Sequence, residues 1–423
     1  MQQFDHAIVI GAGMAGLSSA AVLSSHCHRV TVIDKDLLQI DSDGFPQGVR
    51  KAVPQGAHIH ILLRAGLDIL EDIFPGISGT MEQRGSVRIH LGSDQQIYEF
   101  GEWMPSRDLG VYFLSQSRPL VERIVLEYAR AIGNIEIKQQ ATVVQLDLPG
   151  LHRVDKPMVT LADGQQLVAD VVVDAAGNAG PFITQINKQL ATPVAVDTFP
   201  TNIFYSTVHF KKTLPWHRQQ ENILIIPEPG LSDIGGSLIS VENETWCVSL
   251  HGRNGANPPR TMAEWLSAAR QLPDDRIWQR IHDAEQISEV KVFKKPTSTF
   301  RRFDQATSLP DAYLPIGDTM TSFNPIYGQG MTVALGHAQA LSNALIAPAE
   351  HFSIMRSEYL RGASEWSRQA WQRTTAFDAN YRLTEGQEAK LNVLRKLSLA
   401  QHAKAEADAE FHLKLAKQAQ MLL

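Results

Sequence analysis

The chain has 423 residues, 43% of them apolar and 20% charged, with 39 Lys and Arg against 45 Asp and Glu and a net charge of −6. That length predicts two domains or one elaborated domain, and the mild acidity argues against a nucleic-acid partner. No apolar run reaches the ~18–20 residues that cross a bilayer, and Cys27 and Cys247 build no disulfide framework.

The first strand begins too early to leave room for a signal peptide, so a cytoplasmic protein without a transmembrane segment is expected. Residues 7–10, AIVI, form an apolar run of the kind buried on both faces of a parallel sheet. Gly11-Ala12-Gly13-Met14-Ala15-Gly16 follows, then a helical stretch from Leu17 to Ser25, then the apolar run Val30 to Ile33, which ends at Asp34 and Lys35. Each part of this unit has a mechanical task. Gly11 permits a tight turn, Gly13 lets the backbone approach a pyrophosphate, and Gly16 lets the helix pack on the strand. Asp34 is placed to take both ribose hydroxyls of an adenosine, which suits FAD or NAD and disfavours a 2′-phosphate. The unit predicts dinucleotide binding, with Lys35 beside Asp34 in the same candidate set.

His26-Cys27-His28 has nothing nearby to complete a tetrahedral metal set, and a surface turn is expected there. The string PQG occurs at 46–48 and 54–56 and marks a loop between strand and helix. Arg50, Gln55, His58 and His60 lie on or after it. Residues 76–111 form a small insert carrying Trp103. Residues 115–126, SQSRPLVERIVL, predict a strand end passing into a helix, with Pro119 in its first turn. A further apolar strand, within VADVVVDAAGN at 168–178, ends in Asp174-Ala175-Ala176-Gly177.

Between 185 and 299 the runs 202–210, 222–228, 236–241 and 245–252 predict a second sheet, and 261–271 and 275–284 predict short helices. Arg301 and Arg302 are candidates either to meet an anionic substrate or to form a solvated face. Then comes YLPIGDTMTSFNPIYGQGMTVALGHAQ, from Tyr313 to Gln339. A strand ends in Gly317-Asp318, a loop carries Pro325, and Gly328-Gln329-Gly330-Met331 opens a helix whose free N–H groups suit a phosphate or an electron-rich ring. Asp318 is placed to accept from a sugar hydroxyl. A second contact set so far along the chain is what a long, two-ended cofactor needs, so FAD is favoured over NAD. From 351 onward the residues are helix formers, and 387–423 predict one or two helices whose apolar face either packs on the body of the chain, the favoured reading, or mediates dimerisation.

The Gly-Asp, Pro-loop and Gly-Gln-Gly series resembles the second cofactor motif of FAD-dependent aromatic hydroxylases and related flavoprotein monooxygenases. Gln116 and Arg118 resemble the Gln/Arg pair that this class sets beside the cofactor. Asp174, Ala175 and Gly177 fall where the class usually reads Gly-Ala-Asp-Gly with Ser and Arg after it. Here the acid comes earlier and Asn178 follows, which puts reduction by a directly bound nicotinamide in question. The set Arg50, Pro54-Gln55, His58, His60, FNPIYGQGM, Trp371, Asp378 and Glu385-Gly386 is similar to the FAD-dependent epoxidases of polyether antibiotic biosynthesis and their bacterial relatives.

The resemblance implies an α/β, Rossmann-like FAD-binding fold of the glutathione-reductase type, with a β-rich substrate domain and C-terminal helices. The expected division is a discontinuous FAD-binding domain (1–75, 112–184 and 300–350), a substrate domain (76–111 and 185–299, the smaller piece walling the cavity opposite the larger) and a helical segment (351–423). It further implies FAD, with NADH or NADPH as electron source, directly or through a separate flavin reductase. The flavin would activate O2 as a C4a-hydroperoxide and epoxidise or hydroxylate a lipophilic small molecule, in the manner of secondary metabolism. Arg50, Gln55 and His58 are the polar candidates near the ring. Two alternatives stay open: a flavin-dependent reductase or dehydrogenase acting by hydride transfer, and a halogenase. The chain has no WxWxIP string for the latter, and Lys51 is its nearby lysine.

Overall fold

The computed structural model describes residues 3–38, 50–51, 53–216, 221–346, 352–382 and 388–423. The first copy of PQG, at 46–48, and Glu385-Gly386 lie outside the described residues. Five strands form a parallel sheet in the order Tyr313–Pro315, Val171–Asp174, Phe4–Ile10, Cys27–Ile33, Ile135–Lys138. Ala7, Ile8, Val30, Val32, Val171 and Val172 are fully buried, which is why these strands read as unbroken apolar runs rather than alternating ones. Ile10 stands opposite both Ile33 and Asp174, and Asp174 opposite Pro315. The strands therefore end at one level, and Gly11, Asp34, Ala175 and Gly317 all emerge from the same edge. Helices Met14–Ser24, Arg118–Arg130 and Gly330–Ala344 pack beside one another against this core. A three-stranded antiparallel meander, Val143–Asp147, Met158–Leu161 and Gln166–Val168, adds Leu146, Val159 and Leu161 to it.

The second sheet has eight strands in the order Thr321–Ser322, Lys291–Arg301, Val196–Lys211, Thr245–Gly252, Ile234–Val241, Asn222–Ile225, Gln95–Glu99, Glu102–Trp103. Its two faces follow the period of two. Val208, Phe210, Trp246, Val248 and Leu250 form one face, covered by helices Met262–Arg270 and Arg276–Ile281 through Trp265 and Ile277. Ile239, Val241 and Cys247 lie on the other and pack against Ile59 and Ile61. The predicted strands and short helices of 202–284 are thus present. The small insert is a correction: its strands at 95–103 extend the far edge of this same sheet, pairing with Asn222–Ile225, and build no opposite wall. Cys27 is a second correction, since it opens a strand and is fully buried instead of forming a surface turn.

The C-terminal segment forms helices Phe352–Ala379, Glu388–Ala407 and Ala409–Ala419. The last of these sets Ala416 against Ile89, Val111 and Phe113. Gln420 then accepts the Arg64 N–H at 2.8 Å and the Ala65 N–H at 3.2 Å, and the Ser398 hydroxyl donates to Glu99 at 2.8 Å. The terminal helices pack on the chain as expected. No helix among the described residues is long and apolar enough to cross a membrane.

Candidate functional site: a dinucleotide cavity at the carboxyl edge of the parallel sheet

Three glycines shape the first turn. Gly11 has φ +106°, and a Cβ there would meet the Ala175 carbonyl oxygen at 2.5 Å, so the two loops touch. A Cβ on Gly16 would collide with the Gly11 carbonyl. Gly13 differs, because no atom lies within 4 Å of where its Cβ would stand. The helix that follows has neither a side-chain cap nor an acid in its first turn, so its N–H groups and dipole face the open space.

That space is a cavity of about 670 Å³. At one end lie Asp34, Lys35, Arg50 and residues 141–143. Asp34 accepts the Ala12 N–H at 2.7 Å and the Asp36 N–H at 2.8 Å, and pairs with Arg50 at 3.3 Å. Arg50 also meets Glu122 at 3.1 Å, and Glu122 meets Arg118 at 2.8 Å. Burial alone would push the Glu122 carboxyl up, but Arg118 and Arg50 hold it below its ordinary value. This chain of alternating charge runs along the cavity towards Asp318. Burial raises the Asp318 carboxyl, opposed by Lys295, Arg118 and Arg301.

At the far end Asn324, Pro325, Gly328 (φ +65°), Gly330 and Met331 line the wall, and helix Gly330–Ala344 starts there without a side-chain cap. Ile59, Ile61, Phe293 and Phe323 make that end apolar. Two helix N-termini thus open into one cavity, with an acid at each end. The residues fit an extended dinucleotide such as FAD: Asp34 for the ribose, the Gly13 turn for the pyrophosphate, Asp318 for the ribityl chain and the Gly330 helix start for the ring. The nearly fully buried Gln116 side chain has no protein partner on either amide atom, but it lies outside the cavity lining.

Residues 9–60 match the model of the NAD(P)-binding Rossmann-like domain. Protein Rv3254 of Mycobacterium tuberculosis is 30% identical over 367 residues, 81% of this chain and 73% of its own. PqsL of Pseudomonas aeruginosa, described as a probable FAD-dependent monooxygenase, superposes with a TM-score of 0.64 at 19% identity, covering 89% of this chain and 95% of that one. The chain belongs to one family with Rv3254, and it shares its fold with PqsL. CmlS, a flavin-dependent halogenase, shares the fold with a TM-score of 0.70 at 17% identity, over 98% of this chain and 76% of its own.

Within that frame most sequence-predicted residues line the cavity: Gly11, Gly13, Met14, Ala15, Asp34, Lys35, Arg50, Gln55, Arg118, Ala175, Gly177, Gly317, Asp318, Pro325, Gly328, Gly330 and Met331. Ala12 and Gly16 stand behind the turn, and Gln329 is buried with its side-chain oxygen unpartnered.

Three expectations are corrected. Asp174 turns into the sheet, where it accepts the Tyr313 hydroxyl at 2.6 Å and the Ala176 N–H at 3.0 Å; the loop after it, not its carboxyl, meets the cavity. His58 faces the second sheet and bonds Thr207 at 2.7 Å, outside the lining, while the next three residues, Ile59, His60 and Ile61, line the cavity. Arg50 belongs to the ribose end with Asp34, away from the loop where the ring would lie. Burial lowers His58 to about 4, and burial followed by Arg118 lowers His60 to about 3, so both are neutral near pH 7.

Several residues went unnoticed. Lys295, Phe293 and Ser322 line the cavity, and the Lys295 ammonium donates to Ser322 at 2.6 Å. Lys51, by contrast, is exposed and lies outside the lining. Arg301 lies outside the cavity lining. It donates to Thr319 O at 2.9 Å and to Asn178 O and Oδ1 at 3.2 Å, clamping the loop after Gly177 to the loop after Gly317. Arg302 pairs with Asp304 and Asp197.

Proposed function

We propose that this protein is an FAD-dependent monooxygenase that places one oxygen atom of O2 on a lipophilic small molecule, by epoxidation of an alkene or hydroxylation of an activated ring. The observation that carries this reading is the cavity itself, with its cofactor-shaped charged half and its apolar far end. Bound FAD would supply the electron transfer and oxygen activation. The chain's own residues bind, orient and shield. Asp34 and the Gly13 turn would hold the adenosine and pyrophosphate. The N–H groups at Gln329 and Gly330 would face negative charge on the ring's pyrimidine side. Ile59, Ile61, Phe293 and Phe323 exclude water where the substrate would lie. Lys295, bonded to Ser322, is the charged group beside that end and would orient it.

The electrons would come from NADH or NADPH. Asn178 is bonded to Arg301 and Thr299 instead of presenting a Ser-Arg sequence, which supports delivery through a separate flavin reductase. The testing experiment needs no substrate. The FAD-loaded protein is reduced without air, mixed with oxygenated buffer and followed by absorbance and by peroxide release. A transient between reduced and oxidised flavin, with peroxide release lagging behind it, supports the reading. Direct reoxidation with stoichiometric peroxide favours hydride transfer, and a chain that retains no FAD overturns both.

A further inference from the structure

Behind the loop from Asn324 to Gly328 lies a buried ion pair that neither the fold's core nor the cofactor contacts account for. Asp378, near the end of helix Phe352–Ala379, pairs with Arg253 at 2.5 Å, and their side chains are only 3% and 4% exposed. Arg253 follows strand Thr245–Gly252, so the pair joins two elements 125 residues apart.

The remaining capacity of the Asp378 carboxylate goes to the loop. The Tyr327 hydroxyl donates to it at 2.7 Å, and the Asn324 amide donates to both oxygens at 2.9 and 3.1 Å. The Asn324 carbonyl oxygen accepts the Tyr205 hydroxyl at 2.9 Å and the Ile326 N–H at 3.2 Å, which closes the turn around Pro325. Arg253 is in turn stacked over Tyr381 at 4.0 Å. Apart from the Tyr205 hydroxyl on Asn324 and a ring contact between Tyr327 and Phe377 at 5.9 Å, the side-chain ties of Asn324 and Tyr327 run to this unit or to the turn itself. Asp378 and Arg253 do not line the cavity, whereas Asn324, Pro325 and Gly328 do.

Resting on the FAD reading above, we propose that Asp378, neutralised by Arg253, is the positioning residue that sets where the Pro325 turn and the Gly330 helix start stand against the flavin ring. A carboxylate suits this task because a single acceptor group can fix an amide and a hydroxyl at once. The buried guanidinium balances its charge and stops it from turning away. Tyr327 and Asn324 transmit the position.

The test uses the FAD-loaded full chain and three variants: Asp378→Asn, Tyr327→Phe and, as a control for lost stability alone, Arg356→Met, which breaks the pair with Asp311 at the other end of the same helix. FAD affinity, the visible absorption of bound flavin and its midpoint potential are measured beside thermal stability. Asp378→Asn and Tyr327→Phe are expected to shift the flavin band and potential and to weaken FAD by about tenfold or less, the scale of one lost hydrogen bond. Arg356→Met is expected to lower stability and leave the flavin unchanged. A flavin spectrum and potential identical to wild type in Tyr327→Phe, the gentler change, overturns the proposal even where Asp378→Asn fails to fold. Absence of FAD from the wild type would instead overturn the underlying reading.

Discussion

At the scale of the single residue, Gly13 and Gly16 divide two roles that a glycine motif usually blurs. A side chain on Gly16 collides with backbone, while one on Gly13 enters empty space. Gly16→Val is therefore expected to abolish the soluble fold. Gly13→Val should leave the melting temperature of the flavin-free chain within a degree or two, yet reduce FAD affinity at least tenfold. Thermal melts and flavin fluorescence titration check both. The glycines, Asp34, Gly317 and Asp318 were legible in the sequence because each has a task that few other residue types perform at that place. Asp174 and His58 were misread for a shared reason. Residue type and spacing locate a group along the chain but not the direction its side chain takes, and in both cases the polar group turned to a partner far away in sequence, Tyr313 or Thr207.

Among elements, the loops that would cradle the cofactor are held together by side chains from the second sheet. Arg301 bonds the loops after Gly177 and Gly317 at once, so the cavity's shape depends on the strand Lys291–Arg301. Arg301→Met is expected to weaken FAD by about tenfold to a hundredfold, from loss of charge-assisted hydrogen bonds worth ~1.5–3 kcal/mol, with a smaller effect on the melting temperature. Equilibrium dialysis beside a thermal melt checks it. This strand was invisible in the sequence. Its segment KVFKKPTSTF carries three lysines and a proline, which mask the period of two. Yet Phe293 and Lys295, paired with Tyr205 and Ile203, contribute to the cavity wall. The four strands at 202–252 were legible because apolar and β-branched residues mark them without interruption.

For the whole molecule, four buried histidines and the half-buried His60 are held near neutral form: His58 at about 4, and His60, His209, His251 and His337 at about 3, desolvation being the largest cause in each. In the unfolded chain they protonate near their ordinary 6.5, so between that value and 3–4 the unfolded state binds more protons. Stability is full above about pH 6.5 and is lost as pH falls through this window. The melting temperature is expected to drop steadily from pH 7 to pH 4.5, and replacing His337 by Gln should flatten the slope. Deleting residues 388–423 uncovers Ile89, Val111 and Phe113, and the truncated chain is expected to aggregate at concentrations where the full chain does not, as light scattering would show.

The order of the parallel sheet carries one more consequence. Its outermost strand on one side, Tyr313–Pro315, is the last of the five to be synthesised, and it brings Gly317 and Asp318 with it. The glycine turn and Asp34 leave the ribosome first, but the cavity they share closes only when some three-quarters of the chain exists. Nascent chains halted before Tyr313 would hold an adenosine site without a ring site. On the FAD reading, capture of the whole cofactor would therefore belong to the late stage of synthesis, after the adenosine half of its site has formed.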